Sequence, residues 1–254
     1  MSAFVESNHG YFSSSELAAL VPFKLPKHIA LIMDGNRRWA LEKGLPTTMG
    51  HWEGAEVLID VVRAASELGV QTVTAYSFST ENWNRSDLEI DALMEIFEVY
   101  LREKKELMVK EGIRLGMIGD LNKLPEAVQD AYLEAEEATS CCGKINLVLA
   151  MNYGARDEIR RAFCKILKDH ENVPFSAEEL TEEVIAKYLD TKSWGDPDLM
   201  IRTSGEFRVS NFLLWQLSYA EIHVTETLWP DFSSKDLLNA VIDYQKRDRR
   251  LGGG

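Results

Sequence analysis

Cysteine is scarce in this chain: three in 254 residues, Cys141 and Cys142 side by side and Cys164 alone. An odd count with no Cys-x-x-Cys spacing argues against a disulfide framework and the common zinc sites. It fits reduced thiols in a cytoplasmic protein. Positive charge is also in short supply. Lys and Arg number 28 against 41 Asp and Glu, a formal charge of −13. No nucleic-acid partner is therefore expected, and any anion site must be a local basic patch on an acidic body. Long hydrophobic runs are missing, so no segment is read as spanning a bilayer. The N-terminus lacks the basic-then-apolar order of a secretory signal. The Gly-x-x-x-x-Gly-Lys-Ser/Thr loop, the Gly-x-Gly-x-x-Gly turn, the Gly-x-Ser-x-Gly elbow and the paired histidines of metalloproteases are all absent. Nucleotide hydrolysis, dinucleotide redox chemistry, serine hydrolysis and zinc proteolysis lose their usual support.

What is present is an alternation. An apolar fraction of 45% and a charged fraction of 27% are those of a soluble globular protein. Residues 1–27 read as a variable lead-in, with a short capped helix across Ser13–Leu20 and breaks at Pro22 and Pro26. Residues 28–254 read as a single domain. Strand-like runs at His28–Asp34, Gln71–Ser79, Ile113–Gly119, Ile145–Asn152, Asp198–Thr203 and Ala220–Thr225 alternate with amphipathic helical stretches. The helical stretches are Gly54–Leu68, Asp87–Lys110, Pro125–Ala138, Ala155–His170, Ser176–Leu189 and Ser234–Arg250. Ser176-x-x-Glu179 resembles a capping box. This order predicts an α/β fold with a mainly parallel six-stranded sheet flanked by helices.

Chemistry-bearing residues collect where strands end, the usual ligand position in open α/β sheets. The first strand runs into Asp34-Gly35-Asn36-Arg37-Arg38-Trp39. An acid that can hold a divalent cation, a glycine that admits a close anion and two arginines suited to phosphate oxygens suggest a phosphate–metal site. An ordinary Asp-Gly turn is the plainer alternative. The second strand leads to Ser79, Thr80, Glu81, Asn82, Trp83 and Arg85, with Ser86 as the next N-cap and Trp83 as packing. The fifth leads to Arg202, Gly205, Arg208 and Ser210, enough donors for a diphosphate unless Glu206 neutralises them. His51 is read as opening a helix, where it could bind a diphosphate or simply cap. Glu221 alternates with apolar neighbours in the last strand. A half-buried acid needs a partner or a cation, and Glu221 is the candidate to join Asp34 around a metal.

The runs HIALIMDGNRRWA, GHWEGA, YSFSTENWNR, the stretch Asp198–Glu221 and the ending RDRRLGGG resemble, in order, the signature blocks of the cis-prenyltransferase family, in particular bacterial undecaprenyl diphosphate synthases. The resemblance runs from about His28 to the C-terminus. It implies a homodimer with an apolar tunnel and magnesium as cofactor. It implies condensation of isopentenyl diphosphate onto an allylic diphosphate, with farnesyl diphosphate the expected starter and undecaprenyl diphosphate, precursor of the cell-wall lipid carrier, the expected product. A synthase of different product length and a non-catalytic regulatory subunit of the same fold are the alternatives.

By the same resemblance Asp34 is the essential acid of the diphosphate–magnesium centre, with Glu221 as second metal ligand. Gly35, Asn36, Arg37, Arg38, Trp39 and His51 surround the allylic diphosphate. Ser79, Thr80, Glu81, Trp83 and Arg85 line the junction of the two substrates, and Arg202, Arg208 and Ser210 hold the isopentenyl diphosphate. Asn82 matches a position often assigned as proton acceptor. An amide is a poor base at neutral pH, so a positioning role suits it better, with Asp34 or the leaving diphosphate taking the proton. Leu93, Phe97, Leu147 and Leu149 are the expected tunnel walls. Family members often carry an arginine where this chain has Thr47; either Arg37 or Lys43 substitutes, or diphosphate affinity is weaker. Arg250-Leu251-Gly252 matches a terminal motif that reaches across the dimer. Peripheral contact with a membrane, through the product, is also expected.

Overall fold

The computed structural model describes residues 10–172 and 175–249. Strands β1 (His28–Ile32), β2 (Thr72–Ser79), β3 (Ile113–Ile118), β4 (Ile145–Tyr153), β5 (Leu199–Arg202) and β6 (Glu221–Val224) form one sheet. Their order is β3-β4-β2-β1-β5-β6, and every pair is parallel. β1 and β5 are buried along their whole length, as continuous apolar runs covered on both faces must be. The period of two sorts β1 between two cores. Ile29 and Leu31 pack with Leu58, Val62, Phe78 and Leu147, while Ala30 and Ile32 pack with Val148, Tyr153, Met200 and Phe212.

The helices are α1 (Ser14–Ala18), α2 (Asn36–Glu42), α3 (Thr47–Glu67), α4 (Asp87–Glu111), α5 (Glu126–Thr139), α6 (Ala155–Asp169), α7 (Glu182–Tyr188) and α8 (Ser234–Gln245). Ser13, Ser86 and Ser233 cap α1, α4 and α8 with their side chains. Three expectations need correction. Asn36–Glu42, outside the expected helical stretches, is a helix, entered through Gly35 at φ 107° and held by buried Trp39 and Ala40. α3 begins at Thr47, well before Gly54. Its glycines are contact residues rather than breakers, since a Cβ at Gly50 would lie 2.0 Å from the Asn36 carbonyl oxygen. The Ser176–Leu189 stretch breaks into a 3-10 turn (Ala177–Glu179) and α7, the latter capped afresh by Thr181.

The described part of the lead-in packs on the body. Phe12 is buried, and the Tyr11 and Phe12 N–H groups both donate to the Glu67 carboxylate at 2.7 and 3.2 Å. Because the sheet is parallel throughout, the loops after β1, β2 and β5 share one rim, where strand order turns outward on either side of β1.

Candidate active site

The centre of this rim is an ion pair. Arg202, the last residue of β5, lies beside Ile32 in the sheet and donates Nη2 to Asp34 Oδ2 at 2.7 Å. Its side chain is 3% exposed against 34% for Asp34, so a buried cation holds a carboxylate that still faces solvent. The Arg202 Nη1 group reaches the Arg208 carbonyl and Ser210 Oγ (3.0 Å), curling the loop that follows β5 around the guanidinium. That loop needs unusual backbone: Ser204, Gly205, Ser210 and Asn211 all have positive φ. Thr203 fixes Asp34 from below, its hydroxyl accepting from the Asp34 N–H (2.9 Å) and donating to the Asp34 carbonyl (2.6 Å). The other carboxylate oxygen accepts from the Gly35 N–H at 2.8 Å.

Three cavities run in series from this pair. The first, about 480 Å³, is lined by Asp34, Tyr76, Ser79, Glu81, Asn82, Arg85 and Ser210 among others. The second, about 220 Å³, shares Asp34 and Arg85 and adds Gly35, Asn36, Arg37, His51 and Glu89. The third shares Met33, Asn36 and His51 with the second, then turns apolar between α3 and α4, walled by Leu58, Leu93, Ile96, Phe97 and Leu149. It is a crevice of only about 70 Å³. Of the expected walls, Leu147 lies in the core instead.

The 3-10 turn after β2 is tied at several points. Asn82 occupies a reciprocal capping box with Ser79, its Oδ1 accepting from the Ser79 N–H at 2.9 Å. That bond occupies the Asn82 amide oxygen. Partial burial opposes ionisation of Glu81, but the Asn211 amide (2.8 Å), with the Ser79 and Thr80 hydroxyls, holds its carboxyl below the usual range. Arg85 pairs with Glu89 at 2.8 Å.

The remaining expected residues divide. Arg37 is exposed and lines the second cavity. Lys43 instead sits over the Trp39 ring at 4.0 Å and beside Asp231, so Arg37 is the cation that can stand in for an arginine at Thr47. Trp39 is buried and donates to Asp231 at 2.7 Å, away from the three cavities. Glu206 holds both Arg38 (3.5 Å) and Arg208 (2.5 Å), so these cations are collected but neutralised in the absence of a stronger anion. Thr80 and Trp83 line none of the three cavities; the Trp83 N–H is given to Asn152.

Two expectations are corrected. His51 lies in the second turn of α3 rather than at its opening, so it has no free helix N–H groups beside it. It faces the cavities instead, with a buried Nε2 that has no partner; burial, and next the Arg85 cation, push its pKa down to about 4. Glu221 does not join Asp34 within one chain. It opens β6 in register with Leu199 and hence Ile29, about 16 Å of strand away from Asp34, and pairs with Arg247 at 2.8 Å. Arg250-Leu251-Gly252 falls outside the described residues.

Among the described residues no three acids, histidines or cysteines cluster to cage a metal. A single carboxylate facing an anion-sized cleft still fits magnesium, which takes most of its ligands from water and substrate phosphates. Sequence reading missed Thr203, Tyr76 and Asn211. Only the last had a local signal, as an amide that tolerates positive φ. No helix of the described residues is long and apolar enough to cross a membrane.

The undecaprenyl diphosphate synthase family model matches residues 32–252. The isoprenyl transferase of Clostridium perfringens is 45% identical over 239 residues, 94% of each chain. The structure is similar to that of lavandulyl diphosphate synthase from Lavandula x intermedia in complex with dimethylallyl diphosphate. The TM-score there is 0.88 at 38% identity, covering 91% of this chain and 99% of that one. It is similar also to a probable undecaprenyl diphosphate synthase from Campylobacter jejuni, with a TM-score of 0.75 at 35% identity, covering 89% and 98%.

Proposed function

The chain belongs to the undecaprenyl diphosphate synthase family of cis-prenyltransferases, and from that premise we propose that it extends an allylic diphosphate, farnesyl diphosphate first, with isopentenyl diphosphate units. The observation that carries the reading is the Asp34–Arg202 pair standing where two anion-sized cavities meet, the second opening on an apolar crevice. The first cavity takes isopentenyl diphosphate, against Arg202, Ser210 and the Arg208 released from Glu206. The second takes the allylic diphosphate, between the Gly35 backbone, Arg37 and His51, with its hydrocarbon in the crevice.

In the reaction the allylic carbon–oxygen bond breaks, the isopentenyl double bond supplies the electron pair for the new carbon–carbon bond, and one proton leaves. Arg37 faces the diphosphate that carries the departing charge, where a preorganised donor acts most strongly. A bound magnesium ion, held by Asp34, would supply further charge stabilisation to that leaving group. Burial and the Arg85 cation hold His51 neutral at pH 7 before substrate binds, and its unpartnered Nε2 is free to hydrogen-bond an incoming diphosphate. Asn82 stays a positioning group; Asp34 or the leaving diphosphate takes the proton.

Undecaprenyl diphosphate is the proposed product. A shorter product is the second reading, favoured by a crevice of about 70 Å³, far below the roughly 300–1,000 Å³ of ordinary small-ligand pockets. The test is incubation with magnesium, farnesyl diphosphate and labelled isopentenyl diphosphate, beside Asp34→Ala and a chelator control. A cis product of undecaprenyl length, lost in both controls, supports the reading. Incorporation that stops after one or two units moves it to the short-chain alternative, and none at all to the regulatory-subunit one.

A further inference from the structure

Asn152, the penultimate residue of β4, adopts the left-handed conformation, φ 46°, and is 2% exposed. Both ends of its amide are used. Oδ1 accepts from the Trp83 Nε1–H at 2.8 Å, and Nδ2 donates to the Asp120 carbonyl at 2.9 Å. The Asp120 N–H returns to the Asn152 carbonyl at 3.3 Å. One side chain thus ties the loops after β2 and β3 to the C-terminal end of β4. The joint is tight: at Gly119, φ 114°, a Cβ would lie 2.0 Å from the Met151 carbonyl oxygen. Trp83 packs edge-on against Phe78, centroids 5.1 Å apart, and Phe78 against Phe97 of the crevice wall at 6.2 Å. Its sequence neighbours Glu81, Asn82 and Arg85 line the first cavity, which Asn152 itself does not touch.

We infer that Asn152 is a positioning residue for isopentenyl diphosphate: by holding the Trp83 indole it sets the turn that presents Glu81, Asn82 and Arg85 to the cleft. This rests on the proposed assignment of that cleft. A buried amide could instead serve stability alone, and the two roles separate by coupling. Asn152→Gly keeps the left-handed backbone and removes both side-chain bonds. Trp83→Phe keeps the aromatic packing and the Asp120 bond but loses the indole N–H.

The experiment is a double-mutant cycle read in equilibrium binding of isopentenyl diphosphate by calorimetry and in KM for each substrate, with unfolding midpoints alongside. Each single variant should weaken isopentenyl diphosphate about three- to tenfold, the effect of one neutral hydrogen bond. The allylic KM should move less, through Arg85 alone, which lines both cavities, and the double variant should be no worse than Asn152→Gly alone. Effects that multiply in the double variant, or that move both substrates together in step with the unfolding midpoint, overturn the inference. Equal binding by all four proteins also overturns it while leaving the proposed function standing. A parent protein that binds no isopentenyl diphosphate overturns both.

Discussion

Arg202→Lys is the sharpest single test of the rim. The guanidinium spans two directions at once, with Asp34 on one side (2.7 Å) and Ser210 Oγ (3.0 Å) and the Arg208 carbonyl on the other. Lysine keeps the charge, so Asp34 is not left without its cation, but one ammonium on a flexible stem cannot serve both sides. Two hydrogen bonds from a charged donor are lost. At about 1.5–3 kcal/mol each the gross loss is roughly 3–6 kcal/mol. Ser210 is exposed and water can replace part of its bond, so the lower end applies, about 3 kcal/mol, or roughly a hundredfold. Steady-state kinetics with each substrate varied in turn should show KM for isopentenyl diphosphate rising about a hundredfold, with the allylic KM changed less than threefold. A rise shared equally by both substrates, or none, would falsify the view that this fork shapes the isopentenyl loop.

Acid should unfold the chain early through two histidines. Burial pushes His28 and His51 down to about 4. Both folded values lie below the unfolded value near 6.5, so their contribution is full above pH 6.5 and drains as pH falls toward 4, by about 3 kcal/mol apiece at 1.4 kcal/mol per unit. Urea unfolding across that window checks it, and a flat stability from pH 6.5 to 4.5 would contradict it. Gly50→Ala places a methyl 2.0 Å from the Asn36 carbonyl oxygen, a backbone atom that cannot swing away. Overpacking of this kind costs about 1–3 kcal/mol, so the midpoint should drop and the allylic KM should rise, because α2 carries Arg37; an unchanged midpoint would mean that the two helices slide apart freely.

The frame was legible because β1 and β4 are largely apolar and β2 interleaves apolar residues with Thr and Ser, and the rule that ligands gather at strand ends places Asp34 and Arg202 on one rim. The allylic side was harder to read. Asp34-Gly35-Asn36 begins a helix with the same residues that make a turn, and what selects the helix is tertiary: Trp39 buried with its N–H on Asp231. His51 was misplaced for a related reason. Gly50 and Gly54 look like a helix start, yet they are there because Asn36 passes too close for any side chain. Local pattern reports which residues a segment favours; it does not report which backbone lies against it.

Glu221 shows the same limit, and it sets the last test. Its alternation correctly indicated a half-buried acid with a partner, but alternation carries no information on which rim of the sheet the acid occupies. Register supplies that. A residue at the start of a parallel strand faces the rim opposite the loops that leave the strand ends, and here its partner is Arg247. If Glu221 serves a metal at Asp34, the two must therefore come from different copies of the chain. Mixing Asp34→Ala with Glu221→Ala chains, each inactive alone, then creates in every mixed dimer one site with both defects and one with neither. Random exchange should restore about a quarter of parental activity. Absence of rescue, with mixed dimers demonstrated by differential tagging, would leave Glu221 as the ion-pair partner of Arg247 and remove it from the reaction.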